Sequence, residues 1–294
     1  MKVLYWLESI RAPWLDAVML AISQLGGEIL FMAIVIALFW CMDKRKGYYL
    51  MTVGFFGIVA NQFLKLVFRV SRPWIRDPEF TIVEGARAGA TGYSFPSGHT
   101  QNAAAVLGCP ARMARKKGLK ITLWVLYALV GISRMYLGVH TPYDVGVGVV
   151  MGLVLVFGLY PFFSEKNYKP QRMYVLLGVM LALSIAFTTY TRLYPFPADI
   201  EVDNLSHGIK NGYTLTGAVA GMLAAFWLDE HYVHFQTAGS LPAHIVKCVV
   251  GLGLLLGIKT VLKPPMNALF GGDPIADAFR YAIVVFFAAG LWPM

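Results

Sequence analysis

Residues 133–163 read SRMYLGVHTPYDVGVGVVMGLVLVFGLYPFF, and the change of character at position 145 decides how the chain folds. From Val145 to Phe163 the run is apolar, close to the roughly 20 residues a helix needs to cross a bilayer core. Just before it stand an arginine, a histidine and an aspartate. Thr141 reads as an N-cap, Pro142 occupies the favoured first helical position, and Asp144 falls in the first turn, where a carboxylate meets the positive end of the helix. Asp144 is therefore a capping-box acid, or it is a carboxylate four residues from His140 that accepts the ring N–H and fixes the tautomer.

The same apolar character extends through the 294 residues, of which 57% are hydrophobic and only 14% charged. Such a balance excludes an ordinary soluble domain and predicts an all-α, polytopic transmembrane helical bundle in a cell membrane. Apolar runs near 27–41, 48–68, 99–111, 121–139, 145–163, 174–190, 209–228, 243–262 and 275–292 suggest about nine spanning helices, with 99–111 the shortest. The first 26 residues, broken by Arg11, Pro13 and Asp16, lack a signal-peptide pattern and read as an interfacial amphipathic segment.

The formal charge of +9 does not describe a nucleic-acid surface, because the basic residues form no stripe with interleaved aromatics. They sit in short loops: Lys44, Arg45 and Lys46; then Arg112, Arg115, Lys116, Lys117 and Lys120; then Lys166, Lys169 and Arg172. Counting spans puts all three loops on one side, which the positive-inside rule makes cytoplasmic, leaving 69–98, 134–144 and 191–208 outside. Asp199, Glu201 and Asp203 in the last of these agree with that side. Cys41, Cys109 and Cys248 lie in or beside apolar runs without metal-ligand spacing and read as packing residues. The chain divides near 164–172 into a catalytic core, 27–163, and an accessory half, 164–294, whose loops are chemically sparser.

Two further segments of the core are rich in polar groups. Lys65, Arg69 and Arg72 are spaced to share one face of a helix that Pro73 ends, which puts Lys65 and Arg72 about 10 Å apart at the outer surface. Snorkelling to lipid phosphates explains an isolated cation there; a cluster points to an anion. The stretch SFPSGHT, 94–100, then opens a helix at Pro96 and Ser97, so that the N–H groups of Ser97, Gly98 and His99 face outward as free donors, with His99 within reach of the same anion. Two histidines, a carboxylate, cations and helix N-termini on one side fit phosphoryl transfer better than acyl transfer, because a phosphoryl group spreads negative charge over three oxygens.

In order and spacing, the three segments resemble the signatures of the type 2 phosphatidic acid phosphatase superfamily. Lys65…Arg72-Pro73 matches K-x6-R-P, Pro96-Ser97-Gly98-His99 matches P-S-G-H, and Ser133-Arg134…His140…Asp144 matches S-R-x5-H-x3-D, all without departure. The resemblance implies that His140 attacks phosphorus to form a phosphohistidine, that Asp144 orients it, and that His99 protonates the leaving group. It assigns phosphate binding to Lys65, Arg72, Ser97, Gly98 and Arg134, with no metal and no cofactor. The implied activity is hydrolysis of a lipid phosphate monoester or diphosphate at the extracytoplasmic face, with undecaprenyl diphosphate, phosphatidic acid, phosphatidylglycerol phosphate and sphingoid phosphates as candidates. The alternatives are a lipid phosphotransferase using the same intermediate and a non-catalytic transporter on the same scaffold. Partners are the phosphorylated lipid and membrane lipids, with no nucleic acid. In the accessory half, GLGLLLG at 251–257 permits close helix contact, within the chain or in a homodimer, and the loop at 263–274, with Lys263, is expected on the catalytic side. Arg69, Arg76, His207 and Lys210 fall outside the signatures and read as interfacial charges or headgroup contacts.

Overall fold

The computed structural model describes residues 1–198 and 200–294; of the acidic residues placed outside, Asp199 lies beyond this description. Helices carry the whole regular structure among the described residues, and no strand forms. They run in the order α1 Lys2–Ser9, α2 Pro13–Gln24, α3 Glu28–Cys41, α4 Lys44–Phe68, α5 Pro73–Arg76, α6 Gly98–Ala103, α7 Cys109–Met113, α8 Lys117–Tyr136, α9 Pro142–Phe163, α10 Pro170–Leu193, α11 Val202–Leu228, α12 Leu241–Val261, α13 Lys263–Leu269 and α14 Ile275–Phe286. A π-turn over Ala104–Gly108 joins α6 to α7.

Among the described residues, five segments are long and apolar enough to cross a membrane: Lys44–Arg76, Lys117–Tyr136, Pro142–Phe163, Pro170–Leu193 and Leu241–Leu269. A sixth is added if α2 and α3, which meet at 43°, form one bent span. The chain is a multi-pass membrane protein, with fewer helices passing this test than the nine apolar runs. The run at 99–111 shows why. It forms a broken helix rich in small residues, with Thr100 to Cys109 and Ala111 all buried, and a 16-residue helix rises only about 24 Å, short of a bilayer core.

The chain forms two compact units, one of residues 1–35 and 48–163, the other of 36–47 and 164–294. In the first, α6 packs against α8 and α9, while α1 and α2 pack against α8. Leu7 of α1 joins Ala86, Ala90, Tyr136, Leu137 and Val139 in a buried cluster beneath the loop that follows α5. The loop is also pinned from the side of α1: Tyr5 donates to Asp77 at 2.9 Å, and Glu8 accepts from the Thr81 N–H at 3.0 Å. At the far end of this unit the Arg112 guanidinium lies 4.0 Å from the Tyr160 ring, and Tyr49 donates to the Val156 carbonyl at 2.5 Å.

In the second unit, α11 and α14 make the most extensive helix pair. Gly217 and Gly221 face Ala278 and Ala282 so closely that a Cβ would stand 1.9 Å and 2.2 Å from their carbonyl oxygens. Small residues permit this approach where lipid offers no hydrophobic drive for helices to associate. Cys41 and Cys248 are free thiols whose sulfurs lie 3.6 Å apart, so they are mutual packing partners.

Candidate active site

The expected basic stripe is not helical along its length. The α4 helix stops at Phe68, Arg69 turns left-handed with φ of 48°, and Arg72 is extended at φ −63°, ψ 153°. Pro73 is the cause, since its ring disfavours the α region for the residue before it, and the helix yields four residues earlier than the spacing suggests. Arg69 leaves the helical stripe there, although its N–H still donates to the Lys65 carbonyl at 3.0 Å. Lys65 in the last turn of α4 and Arg72 ahead of α5 are both buried.

Backbone carbonyls hold these cations. Lys65 Nζ donates to Tyr93 O at 2.5 Å. Arg72 Nε donates to Gly92 O at 2.9 Å, Nη2 to Thr91 O at 2.7 Å and Nη1 to Val139 O at 2.9 Å. The latter nitrogen also lies 3.0 Å from His140 Nε2. A guanidinium only donates, so Nε2 is the acceptor and the proton of the neutral ring sits on Nδ1. Nδ1 has no hydrogen-bond partner and stands 3.7 Å from Asp144 Oδ2.

His140 follows a turn in which Gly138 adopts φ of 80°, and only 1% of its surface is exposed. Burial first, then the charges of Arg72, Arg134 and Lys65 and the neighbouring His99, hold the imidazole well below the usual histidine range. The ring is therefore neutral and its unprotonated nitrogen remains a nucleophile at neutral pH.

Asp144 is the acid of a capping box. Its Oδ2 accepts from the Thr141 N–H at 2.7 Å, and its own N–H donates to Thr141 Oγ1 at 3.3 Å. The same oxygen accepts from Ser94 Oγ at 2.6 Å. The capping reading of Asp144 is thus met, whereas the His140 ring N–H stands 3.7 Å from Oδ2, at ion-pair distance but too far for the hydrogen bond the second reading expects. Ser94 was in view at the head of SFPSGHT but carried no spacing that pointed to Asp144, 50 residues on.

Ser97 is the N-cap of α6, and its Oγ accepts from the Thr100 N–H at 3.4 Å. Its N–H is not free as the sequence suggested. It donates to the Asp144 carbonyl at 3.0 Å, which ties the second signature to the third. The N–H groups at Gly98 and His99 have no protein partner among the described residues. Asn61, one turn before Lys65, supports this stretch by donating to Pro96 O at 3.2 Å. His99 is half-buried, and a Cβ added at Gly89 would stand 3.8 Å from its ring Cε1. Arg134, in the last turn of α8, donates from Nη1 to Ser23 Oγ at 2.7 Å and keeps Nε and Nη2 buried without partners. Arg76 meets these groups through its backbone, its N–H donating to the Arg72 carbonyl at 3.1 Å, while His207, Lys210 and Lys263 belong to the second unit.

Three buried cations, Lys65, Arg72 and Arg134, therefore surround a site with one buried carboxylate, Asp144. Burying charge of one sign is costly, and a multiply charged anion offsets it. A buried neutral imidazole whose Nε2 accepts from an arginine, inside a cationic pocket at one end of a helical membrane unit, defines a membrane enzyme that handles phosphoryl groups.

Sequence comparison is specific. The chain belongs to the PAP2 superfamily, whose profile matches residues 45–168, and a second profile, the PAP2 superfamily phosphatase transmembrane extension, matches 213–294. It is a phosphatase, a hydrolase of phosphoric esters. A phosphatidylglycerophosphatase B of Bacillus subtilis is 34% identical over 53% of this chain and 79% of its own. An undecaprenyl-diphosphatase of the same organism is 28% identical over 50% of this chain and 75% of its own. A dihydrosphingosine 1-phosphate phosphatase of Schizosaccharomyces pombe is 27% identical over 95% of this chain and 69% of its own. The crystal structure of a transmembrane PAP2-type phosphatidylglycerolphosphate phosphatase from Bacillus subtilis is similar at 31% identity and a TM-score of 0.47, covering 57% of this chain and 85% of that one.

Proposed function

We propose that the protein hydrolyses a lipid phosphate monoester or diphosphate at the extracytoplasmic face through a phosphohistidine on His140. The observation that carries this reading is the neutral His140 ring with Nδ1 toward Asp144, set among three buried cations against one buried carboxylate. Nε2 attacks phosphorus as the bond to the leaving oxygen breaks; His99, which burial and then the charges of Arg134, Arg72 and Lys65 hold down to about 3 in the free site, takes up a proton with the anionic substrate and gives it to that oxygen. Asp144 stabilises the positive charge that develops on the ring. Water then attacks the phosphohistidine, returns a proton to His99 and releases phosphate and free His140.

The phosphoryl oxygens are bound by Lys65, Arg72, Arg134, the Ser97 hydroxyl and the Gly98 N–H. The Nη1 of Arg72, which rests on Nε2, transfers its hydrogen bond to an incoming phosphoryl oxygen and so frees the nucleophile. The cations supply the charge stabilisation, and the reaction needs no metal. Residues 27–163 form the catalytic core, 164–294 an accessory helical scaffold, and the first 26 residues an interfacial segment. The orientation is supported by the basic loops at the opposite end of the core helices. The names of the relatives point to phosphatidylglycerol phosphate, undecaprenyl diphosphate and sphingoid phosphates as substrates.

The test is phosphate release by the purified protein, with chelator present, across those lipids and phosphatidic acid, beside His140→Ala. Release lost in the variant, with an acid-labile, base-stable phosphoryl label on the wild type, supports the reading. Release that survives His140→Ala, or label recovered on an acceptor lipid in place of free phosphate, overturns it.

A further inference from the structure

Residues 1–27 lie outside both stretches that match the family profiles, yet they reach the site from several directions. Ser23, in the last turn of α2, is 1% exposed, and its Oγ accepts the 2.7 Å hydrogen bond from Arg134 Nη1. Three residues on, the Gly26 carbonyl accepts from Asn102 Nδ2 at 2.9 Å, inside the helix that His99 opens. The backbone at Gly26 lies so near the His99 carbonyl that a Cβ would stand 2.4 Å from its oxygen. Further back, Arg11 Nε donates to Tyr136 O at 3.1 Å and Asp16 accepts from the Tyr136 hydroxyl at 2.7 Å, so both ends of α2 are tied to the last turn of α8, where Arg134 sits.

No carboxylate pairs with Arg134 among the described residues, and its other two donors are buried and unpartnered. A guanidinium is a rigid planar fork, so fixing one terminal nitrogen fixes the plane and aim of the rest. A hydroxyl does this without cancelling the charge, whereas a carboxylate in its place would compete with the substrate for the guanidinium.

We propose that Ser23 is a positioning residue for the reaction: it orients Arg134 so that Nε and Nη2 present a preset fork to a tetrahedral oxyanion. The proposal rests on the reading of Arg134 as a phosphoryl-binding residue. Its signature is therefore weaker binding of a phosphoryl mimic, with the fold unchanged.

The probe is orthovanadate, used as an inhibitor of phosphate release by the full chain, with the wild type's fastest lipid substrate. Ser23→Ala is expected to raise the inhibition constant ~10-fold, the scale for loss of one hydrogen bond to a charged group, and Ser23→Thr to restore most of it. In an Arg134→Lys background, Ser23→Ala should add little, because a lysine has no fork to orient. Thermal unfolding of each variant is followed in parallel. An unchanged inhibition constant in Ser23→Ala, with or without a lower melting temperature, overturns the proposal and leaves a docking contact. If Arg134→Ala itself leaves vanadate inhibition and turnover intact, the assignment of Arg134 fails, and the positioning role goes with it.

Discussion

Arg134 in the first unit and Arg280 in the second are both buried arginines in apolar helices, 2% and 4% exposed. Arg280 closes onto the carboxylate of Asp277, one turn earlier on α14, so its charge is cancelled where it stands. Arg134 rests on a serine hydroxyl, and its charge is left over. The same contrast holds more widely. In the second unit Lys44 pairs with Asp229 at 2.6 Å, and Thr188 and Thr216 lie within hydrogen-bond distance of each other across α10 and α11. In the first, Lys65 and Arg72 are steadied by carbonyls that do not neutralise them. A buried charge that is cancelled locally holds helices together, while one that is held but not cancelled stays available to an anion, which on the proposed reading is the phosphoryl group.

Substitutions can break that contrast. The largest effect is expected for Asp144→Asn, which keeps the shape of the cap but loses the charge facing His140; kcat should fall roughly 10³–10⁴-fold. A steady-state assay showing less than a tenfold loss would reduce Asp144 to a helix cap. Arg134→Met should lower kcat/KM by about 10²–10³, the scale of removing one donor from a developing oxyanion. In the second unit, Gly217→Leu drives a side chain into the Ala278 carbonyl and should cost upwards of ~3 kcal/mol of stability, read by thermal unfolding in detergent, while the folded fraction keeps its kcat.

The mildest outcomes sharpen the comparison further. Because His140 is held neutral, its protonation belongs to the unfolded chain. Below the ordinary histidine pKa of about 6.5 the unfolded state binds the extra proton, so stability present above that pH declines as pH falls through that value. The melting temperature of His140→Gln should lack that component; equal acid sensitivity in both proteins would place it elsewhere. Replacing both partners, Asp277→Leu with Arg280→Met, should be near neutral in stability and activity, whereas Arg280→Met alone costs about 3 kcal/mol by stranding a buried carboxylate. A double variant that is folded but inactive would mean the second unit does more than pack.

Much of the site was legible because its signatures are local: spacing and residue type single out Lys65, Arg72, Ser97, His99, Arg134, His140 and Asp144, and the structure brings those segments together around His140. The apolar runs likewise announced a helical membrane protein. What escaped was long-range or conformational. Nothing periodic links Ser94 to Asp144 or Ser23 to Arg134, since such contacts depend on how helices pack. The helix drawn through Arg72 failed because Pro73 acts on its predecessor, and the run at 99–111 could not be told from a spanning helix because burial in protein and burial in lipid demand the same apolar residues.

The close seat of Gly26 on the His99 carbonyl bears on how the enzyme can be dissected. A fragment cut to residues 45–168 would keep every signature residue, yet it would lose the serine beneath Arg134, the carbonyl that holds Asn102 and the arginine that ties α2 to the His140 turn. The smallest autonomous phosphatase in this chain is therefore expected to be longer than its recognisable motif, and truncations that spare the signatures but remove the leading helices are expected to lose phosphate release in the same assay.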